Sequence, residues 1–225
     1  MKIRKHWLAP GSIDATPYYE FISGNHGPSI MIIAGIHGNE TASVAAARQL
    51  AADLKRGGLA LRKGKLIIVP LVNRKAYRKK IRGKPDLNRQ FPRNFGKKGR
   101  NRLARSLFEL AAKSAPGWFL DLHEANGLSQ LSRKVLGQTL ITNPGSPAIP
   151  VLRRRIKGMN AGIKNRSHYF NLRLHELPGS SRTAAARLIG SKAVTVETCW
   201  SLPRATRIRY QKQLVRGILQ ESGLL

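Results

Sequence analysis

The chain has 225 residues, 41% of them hydrophobic and 23% charged, and 41 Lys and Arg outweigh 11 Asp and Glu for a formal net charge of +30. That balance excludes global disorder, and the length suits one domain burying roughly 70% of its unfolded surface without staples. A single cysteine, Cys199, excludes an internal disulfide and a zinc-finger pattern, and no apolar run reaches membrane-span length. The basic opening Met1–Pro10 lacks the apolar stretch of a secretory signal, so a cytoplasmic location is expected.

Short apolar runs alternate with helical patterns, which is the arrangement of an α/β domain. Ser29–Ala34 reads as a buried strand ended by Gly35, and Val44, Ala47, Leu50, Ala51 and Leu54 then recur at helical spacing over about 41–55. Lys65–Val72 is the next strand; Pro70 within it predicts a sheet edge or a bulge, because proline cannot donate to a ladder. A helix follows from Gly99 to about Ala115, closed by Pro116-Gly117. Trp118–Leu122 is a strand running straight into His123, Gln138–Thr142 a short strand, and Pro147–Lys164 a helix. Lys192–Thr198 is a β-branched strand, and Arg204–Glu221 a closing helix with Ile208, Val215, Ile218 and Leu219 inward. No repeat or linker interrupts this series, so one domain over residues 1–225 is expected.

Acid is scarce, yet five of the eleven carboxylates (Glu40, Asp86, Asp121, Glu124 and Glu197) fall in four short segments, two of which also carry histidine. His37, His123 and Glu197 lie at or just after the carboxyl ends of predicted strands, the edge where open α/β sheets bind ligands. The His37-x-x-Glu40 spacing on a strand-to-helix loop brings an imidazole and a carboxylate to one point, where they can share a metal ion. The same residues also suit a plain helix start, with Glu40 at the positive end of the dipole. His123 offers a third ligand, and two histidines, one carboxylate and a water make a catalytic zinc set.

Asp121, two residues before His123 on a strand and so on the same face, is placed to accept that ring's second N–H. Glu124 points the opposite way and reads as a loop or supporting residue. Glu197 is a carboxylate in an otherwise apolar strand, an expensive burial without a partner. It either pairs with an arginine or faces a catalytic water, whose proton it would take as general base. Asn88 and Arg89 suit bidentate capture of a substrate carboxylate, and Arg82 would polarise a scissile carbonyl.

The net charge predicts attraction to small acidic molecules or polyanions, weakened by salt. Basic runs at Arg78–Lys84, Arg93–Arg102, Arg153–Lys157 and Arg204–Lys212 are either solvated faces or a nucleic-acid surface. Phe95 and Tyr210 are the only aromatics within them, and no helix-turn-helix, ribonucleoprotein or zinc-finger signature appears, so a nucleic-acid partner ranks behind a small substrate.

The ordered set of Gly35-Ile36-His37-Gly38-Asn39-Glu40, Val69-Pro70-Leu71-Val72-Asn73, Arg82 with Asp86-Leu87-Asn88-Arg89-Gln90-Phe91-Pro92, Asp121-Leu122-His123 and Thr195-Val196-Glu197-Thr198 resembles the succinylglutamate desuccinylase/aspartoacylase family. That family is related to zinc carboxypeptidases of the carboxypeptidase A type, and the resemblance runs from about residue 29 to 200. It implies a mixed, mostly parallel sheet of about eight strands flanked by helices. It also implies one zinc per chain on His37, Glu40 and His123, Glu197 as general base and acid, carbonyl polarisation by Arg82, and carboxylate recognition by Asn88 and Arg89. The activity implied is zinc-dependent hydrolysis of an amide in an N-acyl amino acid.

Two departures widen the expectation. Only 28 residues follow Glu197, which implies that the C-terminal β-domain of true aspartoacylases is absent. The stretch Leu177-Pro178-Gly179-Ser180 resembles the compact murein-peptide-cleaving relatives, so cleavage at a peptide C-terminus, as carboxypeptidase or amidase, is an alternative. A polyanion-binding protein on a degenerate hydrolase scaffold is a third. For an assisting tyrosine, as in the carboxypeptidases, Tyr169 and Tyr210 are the candidates.

Overall fold

A computed structural model describes residues 1–225. Its eight strands are β1 (Lys2–Leu8), β2 (Thr16–Ile22), β3 (Ser29–Ala34), β4 (Lys65–Val69), β5 (Trp118–Ala125), β6 (Thr139–Thr142), β7 (Asn171–Leu174) and β8 (Lys192–Cys199). They form one sheet in the order β1-β2-β4-β3-β5-β8-β6-β7. The central four, β4-β3-β5-β8, are mutually parallel; β2 joins β4 and β6 joins β8 antiparallel.

Six helices cover the two faces: α1 (Thr41–Lys55), α2 (Arg74–Lys79), α3 (Arg102–Ser114), α4 (Ile149–Ala161), α5 (Ser181–Ala184, followed by a π turn over Ala185–Ile189) and α6 (Arg204–Glu221). A central strand covered on both faces must be apolar throughout, which is why β3 reads Ser-Ile-Met-Ile-Ile-Ala. Its Ile30, Ile32 and Ala34 enter one core with Leu50 and Leu54 of α1 and Leu214 and Ile218 of α6. Its Met31 and Ile33 enter the other with Leu103 and Leu107 of α3.

The structure corrects the reading of Pro70. Strand β4 is interior, paired with β2 and β3, and its ladder ends at Val69. Pro70 stands just past the last rung, where its missing N–H costs no ladder bond. The sequence showed no element before residue 29, but β1 and β2 lie there; β1 carries Lys2, Arg4 and Lys5 on an exposed edge, and such charges blunt an edge while hiding the strand's period. Strand β5 also runs past Leu122 to Ala125, so His123 and Glu124 sit within the ladder, and His123 pairs with Glu197 of β8.

Candidate metal centre and active site

Strand β3 ends at Ala34, and the chain turns through Gly35, whose φ of +71° is left-handed and glycine-favouring. Gly38 follows, where an added Cβ would sit 2.0 Å from the backbone of Ala76 on α2. Only a residue without a side chain lets the loop pass under α2 and return His37 toward the sheet. Helix α1 then starts directly after Glu40.

His37, Glu40 and His123 are all at least 98% buried. His37 Nδ1 lies 2.5 Å from Glu40 Oε1, and His123 Nδ1 lies 2.8 Å from Glu40 Oε2. The ligand atoms of the three residues lie within 4.8 Å of one another. The His123 approach is close but misaligned for a hydrogen bond, leaving Glu40 Oε2 buried without an aligned partner. Three ligand atoms converging on one point, with one carboxylate oxygen left unbonded, are what a cation site presents. Two imidazoles and a carboxylate form a donor set suited to zinc.

Each ring turns its other nitrogen to a carboxylate: His37 Nε2 is 3.0 Å from Asp86 Oδ1, and His123 Nε2 is 3.0 Å from Asp121 Oδ1. Burial pushes His37 toward the neutral form, but Asp86 and Glu40 outweigh it and raise its pKa. His123 is raised well above its ordinary value: Asp121 and Glu40 overcome its burial. Glu40 is held below the ordinary carboxylate range despite its burial, because both histidines favour its charged form. The cluster therefore attracts positive charge.

Asp86 is a junction that sequence reasoning left without a role. Besides His37, it accepts from the Asn88 N–H at 2.9 Å and from Arg82 Nε and Nη2 at 3.1 and 3.0 Å. Arg82 is thus held on Asp86 at the cavity rim. Asn88 Oδ1 accepts from the Ser181 N–H at 3.0 Å, which directs its amide group away from α5. The Ser181 hydroxyl donates to Asp121 Oδ2, so the Asn88 loop, α5 and the His123 strand are tied together. Arg89 lines the same cavity, with Nη1 on the Asn88 carbonyl at 2.9 Å.

Glu197 faces this cavity with no arginine on it, and its Oε2 has no hydrogen-bond partner. Burial pushes its pKa up to about 8; Glu40 and Asp121 add to that, and the two histidines oppose it. The cavity measures about 620 Å³ and also exposes Arg173, Arg182 and Trp200.

Sequence reasoning missed Arg182. It is only 3% exposed, with its guanidinium on Asn143 Oδ1 and the His175 carbonyl, both neutral acceptors. Burial pushes its pKa down to about 10. Among 41 cations nothing in the sequence singles it out.

Glu124 lies on β5, where Oε2 accepts from the Ala42 N–H of α1 at 2.7 Å and Oε1 pairs with Arg207 of α6. It braces the start of the helix that follows Glu40. Tyr210 stacks edge-on against Phe170 in the core and Tyr169 packs beside it, so neither candidate tyrosine reaches the cavity.

A family model described as the succinylglutamate desuccinylase/aspartoacylase catalytic domain matches residues 26–220. The succinylglutamate desuccinylase of Photorhabdus laumondii is 48% identical over 66 residues, covering 29% of this chain and 19% of that protein. That of Yersinia pseudotuberculosis is 35% identical over 96 residues, covering 43% and 26%. Among solved structures, the cell shape determinant protein Csd4 of Helicobacter pylori superposes with a TM-score of 0.78 at 20% identity, over 100% of this chain and 55% of that one. An aspartoacylase family protein of Mesorhizobium loti gives 0.70 at 22% identity, over 99% and 68%. The structural likenesses establish the fold. This chain spans about half the length of Csd4, and the matched segments are about a fifth to a quarter of the desuccinylases.

Proposed function

The chain belongs to the succinylglutamate desuccinylase/aspartoacylase catalytic-domain family, and on that premise we propose that residues 1–225 form a zinc-dependent hydrolase domain that cleaves the amide of an N-acyl amino acid. The observation carrying this reading is the convergence of His37, Glu40 and His123 beside an unpaired, buried Glu197. His37 Nδ1, the Glu40 carboxylate and His123 Nδ1 would hold the ion, oriented by Asp86 and Asp121. When bound, zinc supplies a Lewis acid that polarises the amide carbonyl and acidifies a water.

The chain's own residues do the rest. A nearby cation favours the charged form of Glu197, bringing its raised pKa back toward the range of a working base. Glu197 Oε2 then takes the proton of the attacking water and delivers it to the leaving nitrogen. Arg82, steadied by Asp86, offers positive charge to the carbonyl oxygen as it becomes anionic. The Asn88 amide and Arg89 bind the amino acid's carboxylate, and Arg182, buried without a carboxylate of its own, binds an anionic group deeper in the cavity.

The test is metal analysis of purified protein joined to hydrolysis of N-acyl amino acids. About one zinc per chain and activity lost with chelator and restored by zinc are expected; full activity without metal overturns the proposal. A second reading, cleavage at a peptide C-terminus, is favoured by the superposition of the whole chain on Csd4, described as a D,L-carboxypeptidase. A more than tenfold preference for short peptides over acyl amino acids would select it.

A further inference from the structure

A second concave site of about 390 Å³, sharing no residue with the cavity above, lies between α1 and the outer strands β1 and β2. Trp7 pairs with Pro17 and Lys5 with Tyr19, so Trp7 and Tyr19 share one sheet face, the face that α1 covers farther in. Helix α1 leaves this margin open, and Trp7 remains 48% exposed. The opposite wall carries Arg48 and Lys55 of α1 and Arg74 of α2; no acidic residue lines the site.

The partners of these cations leave their charge unneutralised. Lys55 Nζ lies 3.3 Å over the Tyr19 ring, Arg48 lies 5.3 Å from the Tyr77 ring, and Arg74 Nη1 donates to the Ala15 carbonyl at 2.8 Å. In a chain of net charge +30, unneutralised cations are ordinary. A half-exposed tryptophan, with Lys5 Nζ 5.3 Å over its ring, lining one small concavity with three of them is not explained by that excess.

We propose that this site binds a nucleoside phosphate, with the base stacked on Trp7 and the phosphate held by Arg48 and Arg74. Stacking on an aromatic ring is indifferent to which base is present, and a guanidinium fork matches phosphate oxygens bidentately. The volume lies at the small end of small-molecule sites, roughly 300–1,000 Å³. Folding brings aromatic and basic residues from β1, β2, α1 and α2 together here.

Calorimetric titration of the full chain at low salt with UMP, uridine, inorganic phosphate and hexameric oligouridylate tests this. UMP binding at one per chain, at least roughly tenfold tighter than uridine or phosphate alone, is expected, because base and phosphate are both engaged. Trp7→Ala and Arg48→Glu change exposed side chains; each should weaken UMP roughly tenfold or more, with thermal stability and metal content retained. Hexamer binding much tighter than UMP, and lost in the same variants, supports the site with single-stranded nucleic acid as the source. Phosphate binding as tightly as UMP, or UMP affinity unchanged in both variants, overturns the proposal.

Discussion

Glu197→Gln preserves the size of the β8 side chain and removes its charge. In the metal-free protein, burial first and then Glu40 and Asp121 move the Glu197 pKa from 4.5 up to about 8. At about 1.36 kcal/mol per unit, ionising it costs the fold at most about 5 kcal/mol. Because this folded-state value is raised, the associated stability is intact below pH 4.5 and is lost as pH climbs from there through about 8. Glutamine does not titrate and escapes the loss. Chelator-treated wild type and E197Q should therefore have similar urea midpoints near pH 5. By about pH 9 the variant should be the more stable by up to that ceiling. The same change should lower turnover by roughly 10²–10⁴-fold, the usual contribution of a positioned base, while metal content stays at wild-type level. A stability gap independent of pH, or an E197Q enzyme retaining more than about a tenth of its activity, would refute the reasoning.

Asp86→Asn should weaken metal affinity roughly 10–100-fold in chelator competition, because His37 Nε2 loses the carboxylate that fixes its ring; unchanged affinity would remove that orienting role. His37 and His123 are both raised above 6.5 in the metal-free protein, so protons compete for the ligand atoms. Metal affinity should keep rising as pH increases beyond 6.5, with proton release seen as a buffer-dependent heat, and a flat profile there would contradict the ligand assignment. Arg182→Ala should cut kcat/KM roughly 10–100-fold for a substrate carrying a carboxylate at the deep end of the cavity, and little for its neutral amide analogue. Equal losses on both substrates would show that Arg182 only supports α5.

The +30 charge is unevenly matched to structure. Arg207 pairs with Glu124 and Arg82 with Asp86, so two cations hold carboxylates that brace or orient the His37–Glu40–His123 cluster. Most of the scarce acid near the site is likewise occupied in positioning.

What could be read from the residues alone were features with a local period or a fixed order. The unbroken apolar run of β3, the 3.6-residue spacing of α1 and α6, and the His37-x-x-Glu40 loop are each written within about one element's length, and their order along the chain matched a family. The interior place of β4, the His37–Asp86 contact across 49 residues, the Ser181–Asn88 bond across 93, and the lack of a direct ion-pair partner at Arg182 and at Glu197 were not legible. Each depends on which strands become neighbours in the sheet. That choice is made by the summed burial of two cores, and no short stretch of residues encodes it.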